Sequence, residues 1–146
     1  AGKNMFKWFS SIGLEEEKFR QNIYMSAVCR CYPGKNTSGS GDRVPTEVEI
    51  KKCSKWLDYE IDTLKPKLII PVGKLAISQF IIFDKLNDVV GKKIIYKKNS
   101  CNINIVALPH PSGLSTWYKK EPGKSLLFKA LKIIKNDNEW KLILKK

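Results

Sequence analysis

Apolar residues change their spacing several times along the chain, and each change marks an element. Met5, Phe6, Trp8, Phe9 and Ile12 recur at helical intervals and are followed by Gly13, which predicts a helix ending there. Ile23 to Val28 is a short apolar-rich run that predicts a buried strand. After Tyr32-Pro33-Gly34 comes a polar loop, Lys35 to Arg43, rich in Ser, Gly and Asn. Pro45-Thr46 then opens a helix. Thr46 suits its N-cap, Glu47 and Glu49 suit its first turn, and Ile50, Cys53, Trp56, Leu57 and Ile61 make its core face. Lys67 to Val72 predicts a second buried strand, and Gly73 begins a helix that runs through Phe80. Gly91 to Tyr96 and Ile103 to Ala107 predict two more strands, with a turn at Asn99-Ser100. Glu121 to Lys135 is an amphipathic helix, and Trp140 to Lys146 is a short apolar-basic tail expected to fray.

Alternation of strands and helices, with continuous apolar strands, predicts an α/β fold: a parallel sheet covered by helices on both sides. The expected organisation is one domain over residues 1–146, with a core at 1–134 and a basic tail at 135–146. In such sheets, sites lie beyond the carboxyl ends of the strands. Three loops qualify: Cys31 to Pro45, Gly73 with its neighbours, and Pro109 to Trp117.

Composition narrows the class. Of 146 residues 42% are hydrophobic and 28% charged, which is globular rather than disordered. No apolar run approaches the ~20 residues of a membrane helix, so no membrane partner is expected. The opening Ala1-Gly2-Lys3-Asn4-Met5 lacks the shape of a signal peptide, and the expected location is intracellular. A net charge of +13 favours a polyanionic partner, with nucleic acid first. Only Arg20, Arg30 and Arg43 are arginines. Codon bias in an AT-rich genome accounts for lysine over arginine, but not for lysine over glutamate.

The cysteines are Cys29, Cys31, Cys53 and Cys101. Cys29-x-Cys31 is not the usual Cys-x-x-Cys knuckle and no second pair follows, so spacing alone reads as buried, reduced thiols. The one histidine stands out more. His110 lies between Pro109 and Pro111, directly after a strand and just before Ser112-Gly113. Prolines on both sides fix the backbone, and Gly113 lets backbone amides approach a ligand. A histidine held this way at a strand end is the best candidate for chemistry. Gly73 is open to two readings, a phosphate-binding helix start or tight strand–helix packing.

The order of motifs resembles the uracil-DNA glycosylase superfamily, and most closely its prokaryotic branch that often carries an iron–sulfur cluster. The residues concerned are Ser26-Ala27-Val28-Cys29-Arg30-Cys31-Tyr32-Pro33-Gly34-Lys35, Gly41-Asp42-Arg43-Val44-Pro45-Thr46, Cys53-x-x-Trp56-Leu57, Leu64 to Gly73, and the His110 loop. The resemblance covers residues 1 to 134. It implies a three-layer α-β-α fold with a central four-stranded parallel sheet. It also implies hydrolysis of the N-glycosidic bond of uracil or another deaminated base flipped out of DNA.

By the same resemblance, His110, Pro111 and Ser112 fall on the family's His-Pro-Ser motif, where the histidine donates to the carbonyl of the departing base. Leu114 corresponds to the wedge that fills the gap left by the base. Ser112 and Ser115, with their amides, hold flanking phosphates, and Arg43, Gly73 and Gly113 belong to the DNA-binding set. Cys31 and Cys53 match two ligands of a [4Fe-4S] cluster, the other two belonging to a Cys-x-x-Cys expected before residue 1. DNA, single- or double-stranded, is the implied partner, and a monomer is expected.

Two departures accompany this. The first catalytic motif, a strand followed by Gly-x-Ala-Pro-Gly or similar, supplies the group that positions water, and it is not in this sequence; the expectation is an N-terminally incomplete fragment. Ser26 stands where relatives place the base-reading Asn, and a hydroxyl cannot make the two-point match of an amide. The alternative function is a non-catalytic DNA- or nucleotide-binding member of the superfamily. An unrelated third reading is a small α/β protein that binds a phosphorylated metabolite at the Gly73 and His110 loops.

Overall fold

A computed structural model describes residues 2–28, 37 and 44–146. In chain order these form α1 (Gly2–Ser11), α2 (Glu16–Asn22), α3 (Glu47–Leu64), β1 (Leu68–Ile69), α4 (Lys74–Ser78) and α5 (Leu86–Val89). They continue as β2 (Ile94–Lys98), β3 (Cys101–Ile105), a 3-10 turn (Trp117–Lys119), α6 (Gly123–Lys135) and α7 (Asn138–Leu144). The chain divides into two compact units, Ala1–Tyr24 with Lys67–Lys146, and Met25–Pro66.

In the larger unit the described residues form one sheet of three strands, ordered β1-β3-β2. β1 pairs with β3 in parallel, and the parallel pairing resumes as a bridge between Val72 and Leu108. β2 runs antiparallel to β3, joined through Asn99 and Ser100, whose φ angles are 51° and 66°. Two consecutive left-handed residues make the hairpin turn whose twist matches the strands. The expected turn is therefore present, but it makes the sheet mixed. A two-residue connection can only reverse the chain, so these two strands cannot both belong to a parallel set.

β3 and its continuation are the centre of the core. Ile105, Val106, Ala107 and Leu108 are buried, and the last three share one cluster with Phe9, Ile77, Val90, Leu131 and Ile134. The apolar face of α1 is as the spacing predicts, with Phe9 and Ile12 buried and Gly13 at φ +96° ending the helix. Phe9 stacks on Phe19 of α2 at 4.8 Å and lies 5.5 Å from the ring of Trp140.

The carboxyl end is not a frayed tail. Asp137 accepts from the backbone N–H of Glu139 at 2.9 Å and caps α7, while its other oxygen accepts from Asn104 of β3 at 3.2 Å. Trp140 is buried, and its indole N–H donates to the carbonyl of Ile12 at 3.1 Å. Burying an indole with its one donor satisfied gives this short helix a tertiary anchor that its basic composition hides.

The smaller unit contains α3. Thr46 is the N-cap, as the Pro45-Thr46 start predicts, and with Glu49 it forms a reciprocal capping box. Cys53 and Ile61 are buried on the expected face, but Trp56 is half exposed. Ile23 to Val28 is not a buried strand. Ile23 caps α2, and Tyr24 to Ala27 are exposed without strand pairing. An apolar run becomes a strand only where a neighbouring strand takes up its backbone hydrogen bonds.

Candidate active site

The carboxyl ends of β1 and β3 are laced together. Leu108 N–H donates to Pro71 O at 2.9 Å, and Gly73 N–H donates back to Leu108 O at 2.9 Å. This brings two of the sequence-derived candidates, Gly73 and His110, side by side. At φ +90°, a Cβ on Gly73 would lie 3.3 Å from His110 Cδ2 and 3.6 Å from its Cβ. Glycine is needed here both for the left-handed backbone and for the imidazole that rests on it. Close approach to His110 accounts for glycine at this position, and the helix that follows it, α4, has five residues.

His110 itself is exposed, between buried Pro109 and Pro111. The N–H of Ser112 donates to its Nδ1 at 3.1 Å. An Nδ1 that accepts carries no proton, so in the neutral ring the proton sits on Nε2. The geometry therefore presents an N–H donor to solvent at the end of the sheet.

The following residues form a compact turn. Ser112 Oγ accepts from Leu114 N–H at 3.2 Å, and Ser112 O accepts from Ser115 N–H at 3.1 Å. These two bonds push Leu114 outward, and its side chain is 93% exposed. An apolar side chain left this open by a hydrogen-bonded turn is not a loop anchor. Gly113 has no positive φ, and a Cβ there would meet nothing within 4 Å. The fold itself does not require glycine at 113; the space beside it is open.

Three residues escaped the sequence reading. Asn4 donates to Pro111 O at 2.9 Å, the Tyr118 hydroxyl to Ser112 O at 3.0 Å, and Lys119 to Gly113 O at 2.7 Å. Asn4 lies 107 positions from its partner, a pairing no local pattern announces.

The remaining candidates lie elsewhere. Ser26 belongs to the smaller unit, where its hydroxyl donates to Glu60 Oε1 at 3.1 Å. Cys53 is buried in that unit, and Cys101 is exposed on β3, against the expectation of a buried thiol. Arg43, Cys29 and Cys31 lie outside the described residues. Among the described residues no group of three or more His, Cys, Asp or Glu side chains is placed to hold a metal ion, and no helix is long and apolar enough to cross a membrane.

The end of the β3 strand thus presents a clamped histidine donor next to an outward leucine. The sequence profile of the uracil DNA glycosylase superfamily matches residues 1–133, and the chain belongs to that superfamily. It is 28% identical over 120 residues to a type-4 uracil-DNA glycosylase of Archaeoglobus fulgidus, covering 78% of this chain and 55% of that protein. A type-4 uracil-DNA glycosylase of Sulfurisphaera tokodaii is 30% identical over 119 residues, covering 77% of this chain and 49% of that protein. A type-5 uracil-DNA glycosylase of Pyrobaculum aerophilum is 23% identical over 129 residues, 79% of this chain and 51% of that protein. The chain thus spans about half the length of the curated relatives it matches.

Proposed function

We propose that this chain carries the base-gripping part of a DNA glycosylase of base excision repair, acting on uracil or another deaminated base flipped out of intracellular DNA. The observation that carries the reading is the Ser112 N–H to His110 Nδ1 bond, which turns an Nε2–H donor outward beside exposed Leu114. Family membership and the names of the relatives support it.

The chemistry asks for a fixed donor. As the C1′–N bond breaks, its electron pair leaves with the base, and negative charge gathers on the base carbonyls. A donor already aimed at one of those oxygens stabilises that charge without reorganising. Water then bonds to C1′ and loses a proton to solvent, and the anionic base takes one up to leave as the neutral free base. The chain spans about half the length of its curated relatives, so the complete hydrolysis is a proposal for the whole protein. Leu114 fills the gap in the stack, Ser112 and Ser115 meet the flanking phosphates, and Gly73, Gly113, Arg43 and Ser26 remain proposed members of the DNA-binding set. The full four-stranded parallel sheet, of which β1 and β3 supply two strands, belongs to the same reading, as does action as a monomer.

Cys31 and Cys53 remain proposed ligands of a [4Fe-4S] cluster. Of these, Cys53 is a buried thiol and suits a thiolate ligand; the rest of a ligand set is not among the described residues. When bound, a cluster would crosslink the segments holding its cysteines, and no step of base release runs through it. Iron content of anaerobically purified protein checks this.

The deciding experiment measures free base released from single- and double-stranded oligonucleotides containing uracil, hypoxanthine or xanthine. In the whole protein, wild type should release base, and His110→Ala should lower the rate about 10²- to 10³-fold with DNA affinity nearly unchanged. Equal rates would remove His110 from the chemistry. Binding of damaged DNA without release by either protein would favour the non-catalytic reading.

A further inference from the structure

Three consecutive carbonyls of the His110 loop, those of Pro111, Ser112 and Gly113, each accept a hydrogen bond from a side chain distant from the loop or just beyond it. The first has a geometric consequence. Pro111 O and Ser112 N–H are the two ends of one peptide unit, which is planar and rigid. Asn4 Nδ2 holds the oxygen end at 2.9 Å, and His110 Nδ1 receives the hydrogen end at 3.1 Å. That peptide is therefore a lever with Asn4 at one end and the catalytic imidazole at the other.

Tyr118 steadies the lever. Its phenol oxygen accepts from Asn4 Nδ2 at 3.3 Å while its hydroxyl donates to Ser112 O at 3.0 Å. Its ring stands edge-on to Trp8 of α1, with centroids 5.2 Å apart. Asn4 and Tyr118 are both half-buried.

We propose that Asn4, supported by Tyr118, is a positioning residue that sets which nitrogen of His110 carries the proton. By fixing the Pro111–Ser112 peptide it keeps a donor at Nδ1, and so keeps the ring proton on Nε2, where a departing base would need it. The proposal rests on the reading of His110 as a donor to that base. A side chain on the first helix thereby controls the orientation of a ring 106 positions away in the sequence.

His110 is the only histidine, so ¹⁵N-histidine labelling of the full chain gives the signals of one ring. Long-range proton–nitrogen spectra, recorded without DNA on the neutral ring, read its tautomer directly. Wild type should show the proton on Nε2 alone. Asn4→Ala and Asn4→Asp should show exchange between the two tautomers, the two nitrogen shifts moving toward each other. Tyr118→Phe, which keeps the ring against Trp8, should show the same movement to a smaller extent. Matching backbone amide spectra establish that a variant is folded. Should Asn4 variants fail that check, Tyr118→Phe decides. Folded variants with the wild-type ring spectrum, or a wild-type ring protonated on Nδ1, would overturn the proposal. Because no DNA is present, loss of the glycosylase reading would leave this result standing, and the reverse also holds.

Discussion

The imidazole of His110 rests on the bare backbone of Gly73, so close that a Cβ at 73 would sit 3.3 Å from Cδ2. Two loops from neighbouring parallel strands thus share one surface. Gly73→Ala adds a methyl group against the ring at a backbone angle of φ +90°, which L side chains resist. The expected cost is about 1–3 kcal/mol of stability. Base release should fall further than stability alone explains, because the ring is displaced. Urea unfolding and single-turnover release on the same preparation separate the two effects.

Leu114 is 93% exposed, so Leu114→Ala removes almost no folded-state contact. Stability should change by less than about 0.5 kcal/mol. Activity on duplex DNA should drop while activity on single strands is kept, since only the duplex has a gap to fill. A uniform loss on both substrates would argue against a wedge.

Trp140 joins α7 to α1 through its buried ring and its bond to Ile12 O. Trp140→Ala should cost about 3–5 kcal/mol, a core-sized loss from a residue near the carboxyl end. Trp140→Phe keeps most of the packing and leaves the Ile12 carbonyl without this donor, so it should fall between. Chemical denaturation curves check the order.

The +13 charge predicts a steep salt dependence of DNA binding. If about six phosphates are neutralised, affinity should fall about a thousandfold between ~50 and ~200 mM salt. A flat response in a fluorescence anisotropy titration would mean that the charge serves something other than the DNA backbone.

Local rules carried much of this chain. The capping box at Thr46, the stop at Gly13 and the turn at Asn99-Ser100 each need only neighbouring residues, and each is where its chemistry predicts. The same holds for His110, since its flanking prolines and its Ser112 contact lie within two residues. What the sequence did not reveal depends on distant partners. α2 buries only Phe19, too little to print a helical stripe on EEKFRQN. Ile23 to Val28 has strand-like composition, but among the described residues no strand pairs with it. α7 looks like a basic tail until Ile12, Asn104 and Phe9 are placed around it. Asn4 carries no sign of its role, because the carbonyl it holds is identified only by the fold.

The hairpin between β2 and β3 also bears on the order in which the molecule assembles. Closing a two-residue loop costs little chain entropy, whereas β1 must find β3 across more than thirty residues. The strand that points His110 outward is thus the one with a partner already at hand, a local pairing of the kind that forms fast. Helix α1, which brings Asn4, docks from the far end of the chain. A folding intermediate with the hairpin formed and α1 undocked would hold the histidine at its strand end with its proton not yet assigned.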